Sequence, residues 1–136
     1  MRYYIDTNIL INLIEDNYIS KKVDNLIDNY ENLIYISSEC IREFIQLMQA
    51  GKITGRKDNK NIDIFDFVEN TLGFQIKYIA KEHLKSLAKL EIVEGHSDPF
   101  DRLIIAQAIT EKIPLISSDK QFPKYRKYGL NFIPNY

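Results

Sequence analysis

Acidic side chains follow two short apolar segments of the sequence, at the point where each segment ends. Asp6 comes directly after Tyr3–Ile5, and Asp119 follows Pro114–Ser117 with one serine between them. Each aspartate taken singly is explained by the common use of this residue in turns and at helix N-caps. Burial of an unpaired charge costs several kcal/mol. A carboxylate between two apolar segments therefore indicates either a cap or a nearby cation.

Three more acids lie in helical segments. In SDPFDRLIIAQA, Asp98 fits an N-cap with Pro99 at the first helical position. Asp101 lies in the first turn, where the helix dipole favours a negative charge and the side chain points back toward the strand ends. Glu43, in SSECIREFIQLM, lies at the edge of the polar side of its helix. A surface glutamate and a functional one explain that position equally well.

The acids carry more information as a set. Several carboxylates converging on one cleft would repel one another, and their pKa values would rise unless a cation neutralised them. Mg²⁺ takes oxygen ligands and keeps several waters, and Mn²⁺ accepts the same ligands. Such a site beside a phosphodiester polarises a phosphoryl oxygen and generates hydroxide without a histidine base. These residues therefore predict a metal-bound cluster of carboxylates at the strand ends, and phosphodiester hydrolysis is one reaction that such a site can support.

The elements that must position these acids alternate between strand and helix. Strands are predicted at Tyr3–Ile5, Leu33–Ile36, Phe74–Ile79, Pro114–Ser117 and Asn131–Ile133. Helices are predicted at Thr7–Glu15, Ser20–Glu31, Glu39–Ala50, Ile62–Leu72, Ala80–Val93 and Phe100–Lys112. Short apolar strands alternating with helices indicate a parallel α/β sheet covered on both faces, with ligands outside the carboxyl ends of the strands.

Composition limits the class of protein. A chain of 136 residues, 45% of them hydrophobic, is the size of one domain with one core. The net charge of −1 gives no global indication of a polyanion partner. The single cysteine, Cys40, excludes an internal disulfide and a cysteine zinc cluster, and is expected in the core. We see neither a signal peptide nor a membrane span, so we expect a cytoplasmic protein.

Four motifs, in order along nearly the whole chain, carry a family resemblance. They are YIDTNILI at Tyr4–Ile11, SSECIREFIQL at Ser37–Leu47, HSDPFDRLIIAQA at His96–Ala108 and PLISSDKQF at Pro114–Phe122. The sequence resembles PIN-domain nucleases, and most closely the VapC-type toxins of bacterial and archaeal toxin–antitoxin pairs. DPFDRLIIAQA followed by LISSD is the specific part of the match.

The resemblance implies a three-layer α/β/α sandwich around a parallel sheet of four or five strands, with residues 1–136 as one PIN-like domain. It implies an endoribonuclease that depends on Mg²⁺ or Mn²⁺, forms a homodimer and is neutralised by a cognate antitoxin whose tail occupies the active-site groove. The catalytic, metal-binding acids carried over by motif are Asp6, Glu43, Asp101 and Asp119. Asn8 and Ser117 would hold the acids or a metal water by hydrogen bonds. Asp98, already predicted as the N-cap of the helix that carries Asp101, is a further supporting residue.

Two basic clusters are candidates for RNA binding. One comprises Lys52, Arg56, Lys57 and Lys60, and the other Lys120, Lys124, Arg126 and Lys127, interleaved with Phe122, Tyr125 and Tyr128. Basic groups neutralise phosphates, and aromatic faces stack on unpaired bases. The cluster that follows Asp119 is the stronger candidate, with Lys120 and Lys124 as substrate-binding residues. Arg102 is placed to hold a phosphate, or forms a surface ion pair.

The two histidines, His83 and His96, are not predicted to act in catalysis: His83 packs in an amphipathic helix and His96 lies in a loop. Two other classes of protein remain open. A receiver-like phosphoacceptor domain also gathers acids around Mg²⁺, but it has a lysine where this chain has Ser117-Ser118-Asp119. A phosphatase of the haloacid dehalogenase type needs an aspartate where this chain has Asn8.

Overall fold

Five short strands form one parallel sheet in the order β3-β2-β1-β4-β5. The computed structural model describes residues 1–53 and 63–136. The strands are β1 (Arg2–Ile5), β2 (Leu33–Ser37), β3 (Gln75–Lys77), β4 (Leu115–Ser117) and β5 (Phe132–Pro134). Five strands agree with the predicted number, and all four pairings are parallel. The predicted fold class is therefore confirmed.

Two neighbouring interior strands of the sheet, β1 and β4, are buried on both faces. Tyr3, Tyr4 and Ile5 of β1 are all buried, as are Leu115 and Ile116 of β4. Continuous apolar runs are typical of parallel strands with helices on either side, because neither face meets water. Covered in this way, the sheet presents its carboxyl-terminal edge as the accessible place for a site.

The helices of the described residues form the outer layers of the sandwich. They are α1 (Thr7–Glu15), α2 (Lys21–Asp28), α3 (Ser38–Gln49), α4 (Ile64–Asp66), α5 (Lys81–Lys89) and α6 (Pro99–Glu111), with a π-helical turn at Phe67–Thr71 and a 3₁₀ helix at Phe122–Tyr128. Strand order runs outward from β1 to β3 and then returns past β1 to β4. Right-handed crossovers therefore place α1–α3 on one face and α5–α6 on the other.

The predicted helix Ala80–Val93 was too long. Helix α5 ends at Lys89, and Leu90 has extended backbone angles. The carbonyl oxygen of Leu90 accepts a hydrogen bond from Nη2 of Arg102 at 2.6 Å. Val93 then pairs with His96 in an isolated antiparallel bridge. Contacts with α6 and the following loop thus override the helical pattern of residues 90–93. The periodicity of a sequence segment contains no information about such contacts.

Two other segments differ from the prediction. The helix predicted at Ile62–Leu72 is α4 followed by a π-helical turn, and Ile62 itself lies outside the described residues. The basic and aromatic segment after Asp119, to which the sequence assigned no element, forms the 3₁₀ helix. In the described part of the chain, no helix combines the length and apolar character needed to cross a membrane.

Candidate active site

The site begins at the junction of β1 and β4, where the strand order reverses. β2 and β4 both pair with β1, and the chain reaches them by connections that run in opposite directions along the sheet. Ligands of open α/β sheets bind in the crevice at such a point, outside the carboxyl ends of the strands. Asp6 follows β1 there, and Ser117 is the last residue of β4.

Asp6 is a buried carboxyl group at the N-terminus of α1. It is 5% exposed, and its side chain accepts a hydrogen bond of 3.0 Å from the backbone N–H of Ile9. Burial raises the pKa of Asp6 to about 7, with further contributions from the charges of Asp101 and Asp119, while hydrogen bonds from Ser117 and Ile9 oppose the rise. Asp6 is therefore both a helix cap and a carboxyl group with an elevated pKa.

The Ser117 hydroxyl connects two of the predicted acids. It donates a hydrogen bond to Oδ2 of Asp6 and accepts one of 3.0 Å from the backbone N–H of Asp119. Asp119 is further fixed because its Oδ1 accepts a 2.8 Å hydrogen bond from the backbone N–H of Gln121. One fully buried hydroxyl group thus connects the segment that follows β1 to the segment that follows β4.

Helix α6 contributes Asp101 from its first turn. Asp98 is the N-cap, as predicted, and accepts hydrogen bonds from the backbone N–H groups of Phe100 and Asp101 at 2.9 and 3.2 Å. Burial raises the pKa of Asp101 to about 6, a hydrogen bond with His96 lowers it, and the charges of Asp98 and Asp119 raise it. Both Asp6 and Asp101 therefore hold their protons more tightly than an exposed carboxyl group does.

His96 is the site residue that sequence reasoning missed. Among the described residues, ligand atoms of His96, Asp101 and Asp119 lie within 4.8 Å of one another, close enough to hold one metal ion. His96 is 7% exposed, and its Nε2 lies 3.2 Å from Oδ2 of Asp101. The sequence showed only that His96 lies five residues before Asp101, in the loop that leads into α6. A loop has no periodic pattern that predicts where its side chains point, so His96 was not predicted as a site residue.

Glu43 lies farther from this group. It is half-buried on α3, one turn after Cys40. Burial raises the pKa of the Cys40 thiol, and the charges of Asp6 and Glu43 raise it further, so both carboxylates lie near this thiol. Glu43 is thus on the helix that packs against the Asp6 turn, without being part of the three-residue group.

The side chain of Arg42 links α3 to the first turn of α6. Its guanidinium lies 4.2 Å from the centre of the Phe100 ring and forms a 2.7 Å ion pair with Glu39. This cation–π contact holds the helix that carries Glu43 beside the helix that carries Asp101. Asn8, predicted to hold the acids, is exposed in the first turn of α1.

The predicted substrate-binding cations differ in their surroundings. Lys120 is exposed, with Nζ 5.4 Å from the centre of the Tyr136 ring. Lys124 is exposed and donates a 3.1 Å hydrogen bond to the backbone oxygen of Glu94. Arg102 is half-buried, with its guanidinium bonded to the carbonyl group of Leu90, so it is directed into the protein.

The prediction that the aromatic rings near the C-terminus are available to stack on RNA bases is wrong for two of the three rings. Phe122 and Tyr125 are 1% and 0% exposed, because the 3₁₀ helix turns both rings into the core. Tyr128 alone of the three is partly accessible. Of the other basic cluster, Arg56, Lys57 and Lys60 lie outside the described residues.

A sequence profile of the PIN domain matches residues 3–128. The chain belongs to the PIN-domain family. PIN domains are nucleases that use a divalent metal, which supports a hydrolase acting on nucleic acid. This family membership argues against the receiver-like and dehalogenase-type alternatives. A search of curated protein sequences found no match.

Solved structures share this PIN fold along their whole length. VapBC2 from Rickettsia felis, bound to a DNA fragment from its promoter, superposes with a TM-score of 0.68 at 21% identity, covering 98% of both chains. DNA-bound VapBC from Salmonella typhimurium gives 0.69 at 15% identity, covering 100% of this chain and 99% of that one. FitAcB from Neisseria gonorrhoeae gives 0.67 at 16%, covering 98% and 97%.

The donors present fit a hard divalent cation. Asp6, Asp101 and Asp119 offer carboxylate oxygens at one edge of the sheet. Burial, together with the charges of neighbouring acids, raises the pKa values of Asp6 and Asp101, and the hydrogen bonds that they form oppose this only in part. A divalent cation compensates the charges of such acids and prefers oxygen donors.

Proposed function

We propose that this PIN domain is a Mg²⁺- or Mn²⁺-dependent endoribonuclease and the toxin of a toxin–antitoxin pair. The observation that supports this most strongly is the placement of Asp6 after β1 at the strand-order switch, near enough to Asp101 and Asp119 for their charges to raise its pKa. Buried acids with raised pKa values, gathered at the edge of a sheet, are typical of a functional site.

Each acid has a defined part in the proposal. Asp6, the most buried of the three, would hold the cation together with Asp101 of α6 and Asp119, which follows β4. Glu43 would contribute from α3, the helix that packs against α1. A divalent cation bound there polarises a phosphoryl oxygen and lowers the pKa of a coordinated water.

The protein supplies orientation around that chemistry. Ser117 holds the Asp6 carboxylate and the backbone of Asp119, and Asp98 fixes the first turn of α6. The half-buried position of Asp101 and Asp119 leaves the site open to a phosphodiester from one side. Asn8, exposed two residues after Asp6, is a candidate for contact with the substrate or with a coordinated water.

The RNA would follow the exposed cations beyond Asp119. Lys120 and Lys124 are exposed on the segment that carries this acid, and they would neutralise neighbouring phosphates. We assign Arg102 a structural part instead, because its guanidinium is directed to Leu90.

Partners and location follow from the same proposal. The structures that share the fold include VapBC complexes and a toxin–antitoxin complex from Klebsiella pneumoniae. We propose by likeness that residues 1–136 act as one domain in the cytoplasm, as a homodimer, with a cognate antitoxin covering the site.

Incubation with labelled single-stranded RNA and DNA oligonucleotides of the same sequence tests the activity. RNA cleavage is expected with Mg²⁺ or Mn²⁺, not with EDTA, and loss of at least two orders of magnitude in rate is expected for Asp6→Asn and Asp101→Asn. Glu82→Gln, an exposed change on α5, is the matched control and should cleave like the wild type. Equal cleavage by Asp6→Asn would overturn the proposal.

A further inference from the structure

A buried histidine connects the core to one of the site acids. His96 lies between Tyr125 of the 3₁₀ helix and Asp101 of α6: its Nδ1 is 2.6 Å from the Tyr125 hydroxyl oxygen, and its Nε2 is 3.2 Å from Oδ2 of Asp101. The ring packs edge-on against Phe122 and Tyr125, with centroid distances of 5.9 and 5.4 Å. The orientation of the imidazole is thus fixed by packing as well as by hydrogen bonds.

The surroundings of the imidazole select one tautomer. Nε2 faces the carboxylates of Asp101 and Asp119, where a lone pair would be repelled and an N–H group is attracted. Nδ1 then accepts the hydrogen bond from the Tyr125 hydroxyl. That contact is much shorter than the 3.4 Å from the same hydroxyl to the backbone oxygen of His96, which makes it the principal one.

Arg102 supports the same arrangement from the other side of Tyr125. Burial raises the pKa of the Tyr125 hydroxyl, and the nearby charge of the Arg102 guanidinium opposes this rise. A positive charge beside the phenol makes its O–H group a stronger donor, which favours the hydrogen bond from Tyr125 to His96. The hydrogen-bonded contacts run from Tyr125 through His96 to Asp101, with the Arg102 charge beside them.

We infer that His96 is a positioning residue for Asp101, held in its donating tautomer by Tyr125. A hydrogen bond from Nε2 to one oxygen of Asp101 restricts rotation of the carboxylate, so less conformational freedom is lost when that group binds a cation. The inference rests on the proposed function only in taking Asp101 as a cation ligand. His96, which precedes the DPFDR segment, thus orients one of the acids without binding the cation itself.

Mn²⁺ affinity, measured by the loss of the free-ion electron paramagnetic resonance signal, tests this without relying on RNA cleavage. His96→Ala should weaken Mn²⁺ binding by about 10- to 100-fold, the size of effect found for outer-shell partners of metal ligands. His96→Gln should recover most of it, because the glutamine amide offers an N–H group in place of Nε2. Tyr125→Phe, which removes one hydroxyl group, should weaken binding about three- to tenfold.

His83 offers a matched control. It is 4% exposed, and its Nε2 lies 3.2 Å from a carboxylate oxygen of Glu111, so it has the same chemistry outside the site. His83→Gln should leave Mn²⁺ affinity within about twofold of the wild type. Equal weakening by His83→Gln and His96→Ala would attribute both effects to general loosening of the fold and would overturn the inference.

Pulsed resonance of the Mn²⁺ complex separates positioning from direct coordination. A nitrogen coupling of the strength of a directly bound imidazole, lost in His96→Gln, would make His96 a ligand and overturn the inference. Wild-type affinity in both His96→Ala and Tyr125→Phe would overturn it as well. If Asp6→Asn bound Mn²⁺ as well as the wild type does, the proposed cation site would be wrong. If Asp6→Asn lost Mn²⁺ binding while His96→Ala kept wild-type affinity, only the positioning role of His96 would be wrong.

Discussion

The Ser117 hydroxyl, at the end of β4, donates a hydrogen bond to the carboxylate of Asp6, at the end of β1. The two residues are 111 positions apart in the chain and belong to neighbouring strands at the strand-order switch. The same hydroxyl accepts a hydrogen bond from the backbone N–H of Asp119. A single buried oxygen atom therefore joins two acids of the site.

Ser117→Ala should reduce both stability and cation affinity. The pKa of Asp6 should rise further, since the Ser117 hydrogen bond lowers it, and the N–H group of Asp119 loses its acceptor. We expect a loss of about 1–3 kcal/mol in the free energy of unfolding and weaker Mn²⁺ binding at pH 7. Urea denaturation and Mn²⁺ titration measure these effects.

Ser118→Ala is the control for that change, because its hydroxyl accepts a 2.9 Å hydrogen bond from Nδ2 of Asn135, away from Asp6. It should keep wild-type cation affinity. A larger loss of affinity in Ser118→Ala than in Ser117→Ala would contradict the role given to Ser117.

Asp6→Asn should stabilise the cation-free protein at alkaline pH while removing cation binding. The folded-state pKa of Asp6, about 7, lies above the ordinary value of 3.8, so the folded protein binds this proton more tightly than the unfolded chain does. Its contribution is therefore fully present below about pH 4 and is lost as the pH rises through 7. At pH 8 the variant should be more stable by a few kcal/mol, since one pKa unit corresponds to about 1.4 kcal/mol.

Urea denaturation in EDTA across pH 4–9 checks this. The two proteins should unfold at similar urea concentrations near pH 4, diverge progressively between about pH 4 and 7, and keep a constant difference above that range. A wild type that is the more stable of the two at pH 8 without cation would show that the buried charge is compensated by the protein itself.

Cation affinity should rise with pH. The carboxyl groups of Asp6 and Asp101, with pKa values of about 7 and about 6, must lose their protons before they bind a cation. Mn²⁺ affinity should therefore increase from pH 5 to 8 and become constant above that. Calorimetry in buffers of different ionisation enthalpy should detect proton release at pH 6 and almost none at pH 9; affinity independent of pH would contradict both pKa shifts.

The network around Glu111 should stabilise the fold without affecting the site. The carboxylate accepts a hydrogen bond from the Tyr4 hydroxyl and lies 3.4 Å from Nζ of Lys77 and 3.2 Å from Nε2 of His83. Glu111→Ala leaves these groups without that acceptor and should cost about 2–3 kcal/mol, with unchanged Mn²⁺ affinity. Glu82→Ala, exposed on α5, should cost under about 0.5 kcal/mol; equal losses would argue that the network contributes nothing.

Lys120→Gln should weaken RNA binding uniformly across sequences. Lys120 is exposed next to Asp119, and removal of one phosphate contact should reduce the slope of log affinity against log salt by about one. Fluorescence anisotropy with a labelled RNA in EDTA measures binding without cleavage. Lys85→Gln, exposed on α5, should leave the slope unchanged, and an unchanged slope in Lys120→Gln would place the RNA elsewhere.

The sequence determined much of the sheet because strand signals are local. Apolar runs ending at Asp6 and Asp119 predicted β1 and β4 to within a residue or two, and the Asp98-Pro99 pair predicted the start of α6. The same strand-end rule directed attention to the edge of the sheet that holds the acids. Family motifs added Glu43, whose role in cation binding stays a prediction.

Tertiary structure alone decided the surroundings of those residues. It turned Phe122 and Tyr125 into the core, although the sequence placed them among exposed cations. It brought His96 against Asp101 and Tyr125, 5 and 29 residues away, and so gave a loop histidine a place in the site. Burial and distance through space depend on how elements far apart in sequence pack together, and the periodicity of one segment does not contain that information.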